Sequence, residues 1–104
     1  MVEQNERQAF ELYRKAAELG HIQAMNALAL YYLNGKGGIP KNPQLAISWL
    51  TKTAEQEDAY AQNLLGMGYL YGLGNIPQDL QLGAQWALRA ARQRVPEAQS
   101  RAGS

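Results

Sequence analysis

The chain has 104 residues, of which 46% are hydrophobic and 18% charged, so it is one domain or part of one, with enough apolar side chains for a packed core. Its net charge of +1 gives no electrostatic basis for binding nucleic acid or an anionic membrane, and the absence of cysteine excludes disulfides and thiolate metal sites. The longest apolar run, residues 27–33, is far too short to span a bilayer, so no membrane insertion is expected.

The first predicted helix begins at Asn5 and ends at Gly20. Asn5 is a good capping residue, Gln8 stands at the spacing of a capping box, and Gly20 is typical of the position just past a helix end. The apolar residues between them recur at helical spacing, at Ala9, Leu12, Tyr13, Ala16 and Ala17. The segment therefore predicts an amphipathic helix that buries one face.

The second predicted helix runs from about His21 to Asn34, and the fourth from about Ala59 to Tyr71. Both carry the same apolar stripe, formed by Ala24, Leu28, Ala29 and Tyr32 in one and by Ala61, Leu65, Gly66 and Tyr69 in the other. The small residue within each stripe lets a neighbouring helix approach closely. We expect this packing to compensate for the roughly 1 kcal/mol of helix propensity that the glycine loses.

A glycine-rich loop and then another helix follow each of these helices. The loop has the form Gly-x-Gly-x-Ile-Pro-x-(Asn/Asp) and begins at Gly35 and again at Gly72. Its glycines supply backbone angles that other residues avoid, its proline stops helical structure, and its isoleucine is expected to fill the gap between the two helices. The third and fifth helices begin at the capping residues Asn42 and Asp79.

These elements repeat with a step of 37 residues, which relates Asn5, Asn42 and Asp79 and makes Trp49 recur as Trp86. A fixed step between 20 and 50 residues is typical of stacked-repeat proteins, which mainly form extended binding surfaces. Both indoles lie on apolar stripes and are expected in the core. We predict an all-α protein, an α/α superhelix (solenoid) of stacked antiparallel helix pairs, with five full helices and a short sixth one over about residues 96–101.

The repeated residues resemble the unit of the Sel-one-like repeat (SLR) family, a relative of the tetratricopeptide repeats. The resemblance is specific, because loop, aromatic and small packing residues recur together over nearly the whole chain. The second full unit matches at Ala61, Leu65, Gly66, Tyr69, Gly72, Gly74, Asp79, Trp86, Ala90 and Ala91, and the first at Ala24, Leu28, Tyr32, Gly35, Gly37, Asn42, Ala46, Trp49 and Ala54. Ala29 in place of glycine, Thr53 in place of alanine and one extra residue in each loop are mild departures.

This resemblance implies that residues 1–104 form a single repeat domain. Full units are expected at about residues 22–58 and 59–95, with partial units at 5–21 and 96–102. Members of the family are α/α superhelices that serve as adaptors and scaffolds, often in bacteria. The resemblance therefore implies a non-catalytic protein–protein interaction module, although a fold alone does not name a partner.

The candidate binding site is the groove that the first helices of the pairs line in tetratricopeptide-like stacks. Helical phase opposite the apolar stripe assigns eight residues to it: Gln23, Asn26, Leu30 and Asn34 from one helix, and Tyr60, Asn63, Met67 and Tyr71 from the next. The related pair Asn26 and Asn63 could hydrogen-bond a peptide backbone, and the aromatic and methionine side chains could form an adaptable apolar contact zone. The alternatives are that the asparagines face water or cap a carbonyl, and that the apolar residues pack against the adjacent unit.

No other group of residues predicts a chemical site, and neither a cofactor nor a metal is expected. His21 is the only histidine, so no catalytic triad or His-based metal site can be built. Lys36 is followed by glycine rather than by the serine or threonine of a phosphate-binding loop. The cluster of Glu55, Glu57 and Asp58 is expected to be a solvated turn, with a weak cation site as the alternative.

Two other functions stay open. The ends are not strongly polar, with Phe10 and Leu12 near one and Val95 near the other, so an assembly element that self-associates through its terminal helices is the first alternative. A hydrolase, like the cysteine-rich relatives linked to β-lactam binding or hydrolysis, is the remote second, because this chain lacks their cysteines and any nucleophile–base pair. The expected partner is a protein or peptide of unknown identity. The polar start is no signal peptide, so we expect a soluble chain whose compartment the sequence does not assign.

Overall fold

The architecture is entirely helical over the residues that the computed structural model describes, which are 2–94 for the backbone and 5–93 for the side chains. Five helices follow in the order α1 (Val2–Glu18), α2 (Ile22–Asn34), α3 (Pro43–Glu55), α4 (Ala59–Tyr71) and α5 (Leu80–Arg94). Each packs against the next along the chain, as in a solenoid. The all-α prediction is confirmed. The sixth helix predicted for residues 96–101 and the partial unit 96–102 lie outside the described residues.

The first helices of the two pairs, α2 and α4, are placed by their apolar stripes. α2 begins one residue later than predicted and α4 has the predicted bounds. Ala24, Leu28, Ala61 and Leu65 are each at most 7% exposed, because the stripe faces the neighbouring helices. The helical period of the sequence was therefore sufficient to locate both elements.

Two short loops turn the chain from a first helix to a second helix. Gly35 and Gly72 end α2 and α4 with φ angles of 68° and 67°, a left-handed conformation that glycine adopts at little cost. A 3-10 turn follows in each loop, and then Ile39 or Ile76, which are buried. Ile39 belongs to the core cluster of α1 and α2, and Ile76 lies against Gly68 of α4. Both isoleucines are therefore buried, and the filling of the gap between the two helices of a pair stays a prediction.

The second helices α3 and α5 begin at the capping residues that the sequence predicts. Asn42 Oδ1 accepts a hydrogen bond from the backbone N–H of Leu45, and Asp79 Oδ1 accepts one from the backbone N–H of Leu82, both at 3.1 Å. Each cap satisfies one of the backbone donors that a helix start leaves without an intrahelical partner.

The start of α1 differs from the prediction. The helix begins at Val2, so Asn5 lies inside it and is not its cap. A proline stands two residues before Asn42 and before Asp79, where it stops helical structure, but no proline precedes Asn5. The 37-residue step therefore identified the equivalent position, but this position lacks the preceding proline that makes the other two positions helix starts.

The core consists of two clusters that meet at Tyr32 and Trp49. The first lies between α1 and α2 around Phe10, whose ring packs edge-on against Tyr31 at 5.6 Å and against Tyr32 at 5.8 Å between ring centroids. The second joins α2, α3, α4 and α5 around Leu50, which has no exposed surface. A continuous core therefore runs from α1 to α5.

The two tryptophans are half-buried and are not sealed inside the core. Each indole packs against a core cluster, as the apolar stripes predict. A cation lies over each ring: the Nζ of Lys52 is 4.9 Å from the Trp49 centroid, and the Cζ of Arg89 is 5.2 Å from that of Trp86. The long side chains cover apolar ring surface while their charged ends stay in water, so part of each indole remains near solvent.

Candidate binding groove

The helices α2 and α4 contain no charged residue along their whole length. The lysines, arginines and carboxylates of residues 2–94 all lie on α1, α3, α5 and the connections. Because the buried stripe uses one face of each first helix, the opposite face is built from amide, phenol and apolar groups. We call the eight residues that the sequence assigns to this face the groove residues.

A pocket of about 320 Å³ lies between the starts of α2 and α4. Its lining consists of Gln23, Asn26, Ala27, Leu30, Asp58 and Tyr60. Four of the eight groove residues thus lie around one depression, three from α2 and one from α4. The pocket joins the two helix pairs, because residues of the first pair and the first turn of the second pair form its walls.

Asn26 does not present its amide to the groove in the way the sequence predicts. Asn26 is only 7% exposed. Its Nδ2 donates a hydrogen bond to Asp58 Oδ2 at 2.8 Å, and its Oδ1 accepts one from Thr53 Oγ1 at 2.7 Å. The amide is therefore committed to holding α2 against the end of α3 and the start of α4. Its partners are 32 and 27 residues away, so helical phase alone could not reveal them.

The remaining groove residues lie at or near the surface. Gln23 and Tyr60 are exposed and Leu30 is half-buried at the pocket. The other four are exposed and do not line the pocket: Asn34, Asn63, Met67 and Tyr71. They continue the helical stripe toward the C-terminal ends of α2 and α4 and extend the uncharged face beyond the pocket.

Asp58 is a pocket residue that sequence reasoning assigned to a solvated turn. It is the cap of α4, and its Oδ2 accepts from the backbone N–H of Ala61 at 3.0 Å as well as from Asn26. The available signal was its position directly before the predicted start of the helix at Ala59, where aspartate is a preferred cap.

The turn between α3 and α4 is also held from the side of α5. Gln62 is fully buried; its Nε2 donates to the Ala54 carbonyl at 2.9 Å, and its Oε1 accepts from Gln93 Nε2 at 2.7 Å. Glu57 forms an ion pair with Arg89, and hydrogen bonds from Arg89 and then Gln62 lower the pKa of the Glu57 carboxyl. These contacts fix the turn between α3 and α4, which carries Asp58 of the pocket lining.

A second, larger cavity of about 700 Å³ lies where α1 meets α2. Its lining is Leu12, Tyr13, Ala16, Gly20, His21, Ile22, Gln23 and Ala24. Leu12 is 68% exposed there, and the nearby Leu19 is 80% exposed. Apolar side chains are therefore exposed where α1 meets α2.

The described helices and titratable side chains bear on membrane and metal binding. None of the helices α1 to α5 is both long and apolar enough to cross a bilayer. Within the same part of the chain, histidine, aspartate and glutamate do not gather in groups of three or more that could hold a metal ion. The cation site considered for the turn of Glu55, Glu57 and Asp58 therefore has no cluster of ligands behind it.

Comparison with known proteins identifies the repeat. A family model of the Sel1 repeat matches residues 1–21, 22–58 and 59–95. A protective antigen present in uropathogenic Escherichia coli strains, which displays an SLR fold, is 31% identical with a TM-score of 0.75, over 83% of this chain and 18% of that one. A Sel1 repeat protein from Oxalobacter formigenes is 34% identical with a TM-score of 0.73, over 81% of this chain and 63% of that one. The chain thus spans less than two thirds of either relative. Among curated proteins, no sequence matches significantly.

Proposed function

Because the chain belongs to the Sel1 repeat family, whose repeats are generally non-catalytic modules for protein interaction, we propose that the groove formed by α2 and α4 binds a segment of a partner protein. The observation that carries this proposal is the pocket between the two helix starts, where Gln23, Leu30 and Tyr60 meet. It supplies a hydrogen-bonding amide, an aliphatic wall and an aromatic ring in one depression.

The construction of the pocket favours binding. Its walls stand on helices rather than on a mobile loop, and Asn26 and Gln62 fix the turn beneath it. A preformed site loses little conformational entropy when a ligand docks. Tyr60 is 53% exposed, and a rigid aromatic side chain beside a pocket is a typical anchor of a protein interface.

The groove offers contacts rather than a set of reacting groups. Asp58 is the one carboxylate in its lining, and its Oδ2 accepts from Asn26 and from the backbone of α4. His21, the only histidine of the chain, lines the other cavity. A nucleophile beside a base, which acyl transfer and hydrolysis need, is not present in the pocket lining. The proposed role is therefore binding without catalysis.

Affinity capture with the tagged chain from extracts of its source cells tests the proposal. We expect Tyr60→Ala to weaken capture of the specific partner by about tenfold or more, as for the loss of an aromatic anchor. The matched control is Leu88→Ala, since Leu88 is 59% exposed on α5, outside the groove. Thermal unfolding of both variants shows that the fold is intact. Equal capture by the wild type, Tyr60→Ala and Gln23→Ala would contradict the proposal.

The exposed apolar surface of α1 favours a second function, self-association through this helix. Leu12 lines the larger cavity and is 68% exposed, and the adjacent Tyr13 is 39% exposed, so apolar groups of α1 face solvent at this cavity. Light scattering over rising protein concentration tests this function. We expect larger species for the wild type and a monomer for Leu12→Glu, while Leu88→Glu, a change at a similarly exposed leucine, behaves like the wild type. A wild-type protein that stays monomeric rules the function out.

A further inference from the structure

The absence of charge from the groove restricts the chemistry of its ligand. The pocket lining contains no lysine or arginine, and its one carboxylate, that of Asp58, already accepts hydrogen bonds from Asn26 and from the backbone N–H of Ala61. The exposed stripe beyond the pocket is uncharged as well, because α4 has no charged residue. An anionic side chain of a ligand would find no opposite charge along this surface, and a cationic one would find only the carboxylate of Asp58, whose Oδ2 already accepts two hydrogen bonds.

Placing a charge there is unfavourable. A charged group that leaves water must be compensated by an opposite charge or by several hydrogen bonds, and interfaces use unpaired charges to reject wrong partners. Leu30 and Met67 offer neither compensation. An uncharged segment loses much less hydration on the same surface, so the groove discriminates in its favour.

The amide groups of the groove indicate an extended ligand. Gln23, Asn34 and Asn63 are exposed, and each side chain offers both a donor and an acceptor. The backbone of an extended segment presents free N–H and C=O groups in alternation, whereas the backbone of a helix has already paired most of them. Side chains between those backbone groups would lie against Leu30 and Tyr60, which are the aliphatic and aromatic walls of the pocket.

We propose that the groove binds an extended protein segment whose central residues are uncharged, with backbone amides paired to the glutamine and asparagine side chains and small or aliphatic side chains in the pocket. This inference rests on the proposed function and specifies its ligand. Binding of such a segment is insensitive to salt, because no ion pair contributes to it.

The other faces of the molecule provide the contrast. Arg89 and Arg92 lie on α5, and Glu11 and Glu18 lie on α1. A partner docked on either of those helices would use ion pairs and would be weakened by salt. Salt dependence therefore separates a groove ligand from a ligand of the outer helices.

A displayed library of random peptides of about 12 residues, long enough to reach about 40 Å when extended, provides the probe. Selected peptides are synthesised with a fluorescent label, and their dissociation constants are measured by anisotropy at about 0.05 M and about 0.5 M sodium chloride. We expect an enriched core without Asp, Glu, Lys or Arg and less than about a twofold change in Kd between the two salt concentrations. Tyr60→Ala weakens binding about tenfold or more, and Leu88→Ala does not.

A charge-introducing pair sharpens the test. Asn63→Lys places a cation on the exposed stripe of α4, and Leu88→Lys places one at an exposed position of α5. When the library is selected for binding to the Asn63→Lys variant, we expect the enriched peptides to have acidic cores and salt-dependent binding. Selection for binding to the Leu88→Lys variant returns the uncharged core, because that position is outside the groove.

The outcomes separate the inference from the function on which it rests. Enriched peptides that are acidic or basic, bind less at high salt and still depend on Tyr60 would overturn the uncharged ligand and leave groove binding intact. Peptides that bind Tyr60→Ala as well as the wild type, or a library that yields no enriched peptide, would overturn both.

Discussion

The two complete helix pairs, α2–α3 and α4–α5, share one sequence pattern but differ in how their helices meet. A Cβ added at Gly66 would lie 2.9 Å from a backbone nitrogen of α5, and one added at Gly83 would lie 2.8 Å from a backbone nitrogen of α4. The equivalent positions of the first pair are Ala29 and Ala46. Both alanines are fully buried, so the helices of this pair leave room for a Cβ atom at each position. The repeat thus determines which helices meet, and the residue at the small position determines how closely their backbones approach.

The same comparison explains the unequal asparagines. Asn26 is bonded to Thr53 and Asp58, but its counterpart Asn63 is exposed. The residue 37 positions beyond Thr53 is Ala90, which has no hydroxyl to donate. A position that is structural in one pair is therefore free to contact a ligand in the next.

The largest expected difference between the pairs concerns the tryptophans. Trp49 packs against both core clusters and Trp86 against one. We expect Trp49→Ala to reduce the free energy of unfolding by about 3 kcal/mol and Trp86→Ala by about 2 kcal/mol, because both rings are only half-buried. Urea denaturation followed by circular dichroism measures both. A greater loss for Trp86→Ala would show that packing within the second pair contributes more to stability than the contact between the two core clusters at Trp49.

The buried amide gives the next effect. Asn26→Ala removes the closer acceptor of the Thr53 hydroxyl, which keeps the Leu50 carbonyl at 3.1 Å, and one of the two hydrogen bonds to Asp58 Oδ2, so we expect a loss of about 1–2 kcal/mol. The matched change Asn63→Ala removes an exposed amide and is expected to stay within about 0.5 kcal/mol of the wild type. Chemical denaturation midpoints distinguish them, and equal midpoints would contradict the structural role of Asn26.

Close approach of α4 and α5 predicts a penalty for adding a methyl group. Gly66→Ala forces the backbone of α5 to move, and we expect a net loss of about 1–2 kcal/mol after the gain in helix propensity. The reverse change Ala29→Gly in the first pair is expected to cost about 1 kcal/mol through propensity. Thermal unfolding tests both changes. A stabilised Gly66→Ala variant would mean that the two backbones are farther apart.

The turns before α2 and α4 differ at one backbone position. Gly20 has a φ of 92°, and its counterpart Glu57 has a φ of 66°. We expect Gly20→Ala to cost about 1 kcal/mol, although nothing lies within 4 Å of the added Cβ. Glu57→Gly relieves the strained backbone but loses the pair with Arg89, so its stability is expected to match or slightly exceed that of the wild type. The melting temperature of the variant tests this. A clear decrease would show that the ion pair with Arg89 contributes more to stability than the strained backbone costs.

The smallest expected effect is a pH dependence from the same turn. Hydrogen bonds from Arg89 and Gln62 lower the pKa of Glu57 in the folded protein. The resulting stabilisation is present above the unfolded pKa of about 4.3 and is lost as pH falls through the lowered folded value. The melting temperature of Glu57→Gln should therefore approach that of the wild type in acid. A constant difference across this range would show that the pair contributes nothing through its charge.

Local patterns were sufficient to predict most of the fold. The period of α2 and α4, the caps Asn42 and Asp79 and the buried loop isoleucines all depend on residues within one turn or one loop of each other. The start of α1 was missed because the 37-residue step identifies equivalent positions but not the proline that precedes a true start.

The candidate site was predictable only in outline. Helical phase brought Gln23, Leu30 and Tyr60 to one face, where the pocket lies. It could not show that Asn26 is bonded across two elements or that Asp58 joins the lining, because both facts depend on how α2 meets the turn after α3. Tertiary partners of polar side chains leave no periodic trace in a sequence.

The half-exposed indoles turn each helix pair into its own optical reporter. The chain has only two tryptophans, so replacing either one by phenylalanine leaves a single tryptophan whose fluorescence reports on one helix pair. With Lys52 above Trp49, iodide is drawn toward that ring and caesium is repelled, whereas Arg89 above Trp86 is paired with Glu57, so the two ions reach that ring about equally. Stern–Volmer quenching by this pair of ions would follow the loosening of α2–α3 and of α4–α5 separately.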